Sequence, residues 1–110
     1  MIVLPRDIEA MNRLAYSFAK KVGVCFEELS TDDFYRRLGY ACAFRWGLVI
    51  ELLIEALTRC QLAGRGAIST DDFVEAFAAL YGLPTGLSPF TVDDYRETFD
   101  PDKLLELLNR

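Results

Sequence analysis

A chain of 110 residues that is 52% hydrophobic and 13% aromatic is one domain's worth of sequence and not intrinsically disordered. A net charge of −5, with no histidine, excludes a phosphate-neutralising surface of the chain's own, His-based acid–base catalysis and nearly every zinc site. The acid is unevenly placed: residues 1–65 carry 9 basic and 8 acidic side chains, whereas residues 66–110 carry 3 and 9.

The first helix is expected over Pro5–Val22. Proline suits a first helical position, Asp7 and Glu9 suit the positive end of the dipole, and Gly23 suits the stop. Ile8, Met11, Leu14, Ala15, Phe18, Ala19 and Val22 recur on one helical face. Three later starts share a device: Ser30-Thr31-Asp32-Asp33-Phe34, Ser69-Thr70-Asp71-Asp72-Phe73 and Thr91-Val92-Asp93-Asp94-Tyr95 each place a hydroxyl cap before two acids and an aromatic. The second helix, over Asp32–Ala43, buries Phe34, Leu38, Ala41 and Cys42 and leaves Arg36 and Arg37 on its wetter side. The third, over Trp46–Leu62, is apolar from Leu48 to Cys60, Ile54 included. Only Glu51, Glu55 and Arg59 mark a solvent stripe on it, which makes it the central helix. After Gly64-Arg65-Gly66 a fourth helix runs over Asp71–Tyr81, buries Phe73, Val74, Phe77 and Leu80, and stops at Gly82.

Beyond Gly82 the texture changes. Leu83–Pro89 holds two prolines and a glycine and reads as a loop; a turn follows over Val92–Thr98, and Asp100-Pro101 opens a last short helix. The predicted fold class is therefore all-α, with a four-helix bundle over residues 1–82. Residues 83–110 form an extension that packs on the bundle or contacts a partner. The stretch Leu48–Leu57 is interrupted by Glu51 and Glu55, so no membrane span is expected. Three cysteines without CxxC spacing read as buried free thiols in a reducing cytoplasm.

Adjacent acids on a helix diverge by roughly 100°, so the Asp-Asp pairs read as caps rather than metal ligands. No catalytic dyad is visible, and no Gly-Lys-Ser/Thr triplet is present to make a phosphate loop. The chain alone is expected to be neither an enzyme nor a holder of metal or cofactor. Tyr40, Phe44 and Trp46 read as core. Arg45, between Phe44 and Trp46 at the start of the most apolar helix, is either a solvated cap or a positive charge aimed at an anion held by something else.

Arg45-Trp46-Gly47-Leu48-Val49-Ile50-Glu51-Leu52-Leu53-Ile54-Glu55-Ala56-Leu57, followed by Ala67-Ile68-Ser69-Thr70-Asp71-Asp72-Phe73, resembles the C-terminal lid of AAA+ ATPases. More narrowly it is similar to the TniB family of transposition ATPases, and Gly86-Leu87-Ser88-Pro89-Phe90 resembles a G-x-N-P-F segment of that family's tail. The resemblance covers about Leu4 to Phe90. It implies a lid whose Walker-bearing core, with ATP and Mg, lies elsewhere, and whose partners are that core, neighbouring subunits and a transposase, with DNA reached only through the full-length protein. In the wider superfamily a lid arginine reaches the γ-phosphate. The matching position falls on Gly47, with Arg45 two residues earlier, which makes Arg45 and Gly47 the nucleotide-facing candidates. Leu87, Phe90 and Tyr95 are the partner-binding candidates in the extension. The alternative is a stand-alone helical adaptor whose only business is protein binding.

Overall fold

The computed structural model describes residues 1–82 together with 89 and 90. It is all-α: α1 (Ile8–Val22), a short 3-10 turn (Glu27–Leu29), α2 (Asp32–Ala41), α3 (Trp46–Leu62) and α4 (Thr70–Tyr81). Helix α3 lies between α1 and α4 and packs on both, as its apolar composition demands. None of these helices is long and apolar enough to cross a membrane.

Helix α1 starts three residues later than the proline suggested. Asp7 is its N-cap, but the Asp7 carboxylate does not cap it; Oδ2 instead accepts from the Val3 amide at 2.8 Å. The Asp7 and Ile8 amides reach back to the Val3 and Pro5 carbonyls, so this stretch closes a turn before the helix begins. Met11, Ala15 and Ala19 face the core, and Gly23, at φ 72°, ends the helix in the left-handed region.

Helix α2 is capped by Thr31, whose hydroxyl accepts from the Phe34 amide at 3.2 Å. It ends at Ala41, two residues short of the expected Ala43. Arg37 is not on a wet side: its side chain is only 13% exposed, pairs with Asp33 at 2.9 Å and donates to the Pro89 carbonyl at 3.0 Å. Helix α3 has the bounds the sequence predicted and buries Val49, Leu52, Leu53, Ala56, Leu57 and Cys60. Its polar stripe is wider than expected, because Ile54 is 50% exposed and Leu48 and Ile50 are only partly covered.

At the head of α4, Ser69 and Asp72 form a reciprocal capping box, the Ser69 amide donating to Asp72 Oδ2 at 2.9 Å. Asp72 is also 1% exposed and is gripped by Arg65 through both terminal guanidinium nitrogens. The Cys60 thiol donates to the Arg65 and Ala67 carbonyls. A single parallel bridge between Cys25 and Ala67 ties the α1–α2 connection to this loop. Of the three thiols, Cys42 and Cys60 are buried as expected, but Cys25 is exposed.

The core is aromatic where α2 and α4 meet. Phe34 and Phe73 lie edge to face at 4.9 Å, with Phe26 beside both. Phe90 belongs to this cluster: it is 5% exposed and its ring lies 5.6 to 6.0 Å from Phe73, Phe77 and Phe34. As a partner-binding candidate Phe90 is therefore corrected. It fills the chain's own core, with Arg37 holding the preceding carbonyl. Leu87, Tyr95, the Pro/Gly-rich loop and the last helix lie outside the described residues.

Candidate functional site: the α2–α3 junction

Four residues, Cys42 to Arg45, turn the chain from α2 into α3. The Phe44 amide donates to the Gly39 carbonyl at 2.8 Å and the Ala43 amide to the Tyr40 carbonyl at 3.1 Å. These are the two hydrogen bonds of a Schellman C-cap, which wants glycine at its left-handed position. Here that position is Ala43 at φ 52°, and Phe44 at φ 58° is left-handed as well. A non-glycine residue in this region costs about 1–2 kcal/mol, so the surroundings must hold both in place. Three contacts do: the Ile2 amide donates to the Phe44 carbonyl at 2.8 Å, the Phe44 ring stands edge-on to Tyr40 at 5.8 Å, and Ala43 is buried.

Arg45 is the N-cap of α3, extended at φ −107° and ψ 121°, and makes no side-chain cap. It is exposed, and its guanidinium enters no ion pair or hydrogen bond among the described residues. The other three helices begin with acids (Glu9; Asp32 and Asp33; Asp71 and Asp72), but α3 has none in its first turn. A helix N-terminus already carries about half a positive charge. With Arg45 on it, this end is a concentrated positive spot on an acidic chain. Gly47 is exposed at the second position of the helix, and a Cβ built on it would meet nothing within 4 Å, so packing does not require glycine there. Arg45 and Gly47 thus share one open helix end.

Beside the junction lies an open cleft of about 500 Å³, walled by Met1, Ile2, Val3 and Leu4 on one side and by Arg36, Tyr40 and Phe44 on the other. Of the described residues that line it, Arg36 and Tyr40 are the ones with polar side chains, and none is an acid. Beneath the junction the interior is kept neutral. Burial pushes the Cys42 thiol far above its ordinary value, and Glu51 adds to the rise. Burial does the same to Tyr81, helped by Cys42 and Glu51, and the buried Tyr81 hydroxyl finds no hydrogen-bond partner among the described residues. Such groups supply no nucleophile near neutral pH. Chemically, this end can attract an anion and accept an apolar neighbour.

Sequence reasoning singled out Arg45 and Gly47 but missed the cleft. Ile2, Arg36 and Tyr40 come from distant stretches, and no local pattern joins them. The missing acids at the start of α3, by contrast, were there to be read. The described acid pairs do not converge: Asp33 is bound to Arg37, while Asp71 is exposed and Asp72 buried. Among the described residues no group of three candidate ligands could hold a metal ion. Compared with family models, curated proteins and solved structures, the chain matches none of them.

Proposed function

We propose that the chain is the helical lid of a TniB-like transposition ATPase, coupling the nucleotide state of a separate ATPase core to assembly on DNA and to contact with a transposase. In this reading the core supplies ATP and Mg, Arg45 faces the nucleotide's phosphates, and Gly47 leaves room for them. The setting is cytoplasmic, and the chain alone turns nothing over. The observation that carries the reading is the acid-free start of α3 with Arg45 at its N-cap position, which shares an end of the bundle with the N-terminal segment through the Ile2–Phe44 hydrogen bond. A core joined ahead of Met1 then meets the lid at its most positive point.

A chimera carrying a Walker-bearing TniB-family core ahead of Met1 tests this. Charge-assisted hydrogen bonds to a phosphate are worth on the order of 1.5–3 kcal/mol each, so Arg45→Ala should slow ATP turnover or nucleotide-driven assembly about tenfold or more. Turnover and assembly both within twofold of the parent would remove Arg45 from the site. Micromolar ATP binding by the chain without a core, measured by calorimetry, would remove the lid reading itself.

The exposed apolar side chains on the outer side of α3, Ile54 and the 81%-exposed Leu62, favour a second reading, a stand-alone protein-binding adaptor. In that case Ile54→Asp weakens assembly while Arg45→Ala leaves it intact.

A further inference from the structure

Two adjacent non-glycine residues in the left-handed region do not stay there unaided. In this chain the hydrogen bond that reaches the junction from outside α2 comes from the N-terminal segment. Ile2 is buried, its amide is hydrogen-bonded to the Phe44 carbonyl, and its side chain lies against Gly39 together with Leu4 and Phe44. The segment's other end is fixed by Asp7, whose carboxylate takes the Val3 amide and whose own amide returns to the Val3 carbonyl. That hydrogen bond, reinforced by Arg6, holds the Asp7 carboxyl below its ordinary range despite partial desolvation. Between these two ties the segment crosses the end of α2 and walls the cleft beside Tyr40 and Phe44.

We infer that Met1–Leu4 is a strap that holds Ala43 and Phe44 in their strained conformation and thereby sets the position of Arg45, so that displacing the strap releases the start of α3 without unfolding the bundle. Ile2 is in this sense a positioning residue, acting on Arg45 through Phe44. The device rests on hydrogen bonds and dihedral angles of this chain and stands whether or not the proposed function does. Under that function it becomes the route by which movement of a preceding core reaches Arg45.

The mechanism follows from which bonds share the junction. The Phe44 carbonyl accepts from Ile2, the Phe44 amide donates to Gly39, and the Arg45 amide donates to Cys42 at 3.0 Å. When the Ile2 bond is lost, no other backbone hydrogen bond among the described residues holds the Phe44 carbonyl against the return of Ala43 and Phe44 to ordinary dihedrals. That return breaks the Gly39 and Cys42 bonds and swings Arg45. Helix α3 beyond its first turn is anchored by its buried face and need not move.

Native-state amide exchange of the full chain, read by NMR, tests the coupling. Ile2→Pro removes the donor, because proline has no N–H. Exchange at Phe44 and Arg45 should then rise about tenfold or more, while Leu53 in α3 and Phe77 in α4 stay within twofold, the signature of local rather than global opening. Adding Ala43→Gly should slow the Phe44 and Arg45 amides back toward the parent, since glycine occupies the left-handed region without penalty. A purely packing role for Ile2 predicts no such rescue. If Ile2→Pro does not fold, Asp7→Ala loosens the strap from its exposed end and should accelerate the same two amides about threefold or more. Unchanged exchange at Phe44 and Arg45, equal acceleration at Leu53 and Phe77, or failure of Ala43→Gly to rescue would each overturn the inference.

Discussion

Between α2 and α3 the chain turns in Cys42 to Arg45, and two of those residues, Ala43 and Phe44, are left-handed without being glycine. Between α3 and α4 it turns in Ala63 to Ser69, and the left-handed position there is Gly64. The second connection ends in a capping box, carries a buried carboxylate held by Arg65, and has its carbonyls taken by Cys60 and Cys25. The first ends in Arg45, whose side chain caps nothing, and sits over the buried Tyr81 hydroxyl, which has no hydrogen-bond partner among the described residues. Connections that satisfy every local requirement fix a structure. One that violates several is held by something else, and such violations gather where a molecule does its work. In this bundle they gather around Arg45.

The sharpest way to test the contrast is to remove one charged side chain from each connection. Asp72→Ala strips Arg65 of its acceptor and Ser69 of its cap, and should cost about 2–4 kcal/mol in chemical denaturation, the sum of a lost cap and lost charge-assisted hydrogen bonds. Arg45→Ala, at the other end, should change stability by less than about 0.5 kcal/mol. Similar costs for the two variants would erase the distinction.

Glycine exchange should give effects of opposite sign. Gly64→Ala meets no neighbouring atom, so its cost is conformational, about 1 kcal/mol at φ 74°. Ala43→Gly relieves the same penalty at the other connection, less the loss of a buried methyl, and should be neutral or stabilising by up to about 1 kcal/mol. A clear loss of stability in Ala43→Gly would mean that the junction is not strained.

A smaller effect distinguishes buried Tyr35 from half-buried Tyr81. Tyr35 donates to Asn12 at 2.6 Å, an oxygen that also accepts from Ser30, whereas Tyr81 donates to nothing among the described residues. Tyr35→Phe should therefore cost about 1 kcal/mol and Tyr81→Phe should be neutral or slightly stabilising. Burial raises both hydroxyls, Tyr35 to about 12 and Tyr81 higher still. The folded state thus favours their neutral forms. Stability from these groups is complete below the ordinary tyrosine value of about 10 and falls as pH rises through the folded values. Absorbance at alkaline pH should show a delayed tyrosinate phase that shrinks in Tyr35→Phe and in Tyr81→Phe. A delayed phase unaltered in both variants would contradict the burial.

Much of the bundle could be read along the chain. The α3 bounds, the stops at Gly23 and Gly82 and the caps at Thr31 and Ser69 all follow from local chemistry within one helical turn. What could not be read depends on residues brought together from afar. Arg37 looked solvated because its cover is Pro89, and the sequence left Phe90 open between folding back on the bundle and contacting a partner because its neighbours are Phe34, Phe73 and Phe77. Asp72 was legible as a cap but not as half of an ion pair, since its arginine lies across the loop. At the candidate site the arginine was visible and its surroundings were not. Pro5 even misdirected the reading, because the proline lies in the turn ahead of α1, where the Asp7 carboxylate binds the Val3 amide, and the helix itself begins at Ile8.

The chain contains one tryptophan, Trp46, at the first position of α3, and one exposed thiol, Cys25, bridged to Ala67 beyond the other end of that helix. The 17 residues of α3 separate the two ends by about 25 Å at 1.5 Å per residue. Because Cys42 and Cys60 are buried, a thiol-reactive dye added to the native protein lands on Cys25. The molecule therefore comes with its own optical ruler. Energy transfer from Trp46 to that dye can follow motion of the strained junction relative to the capped loop in solution, with no engineered residue.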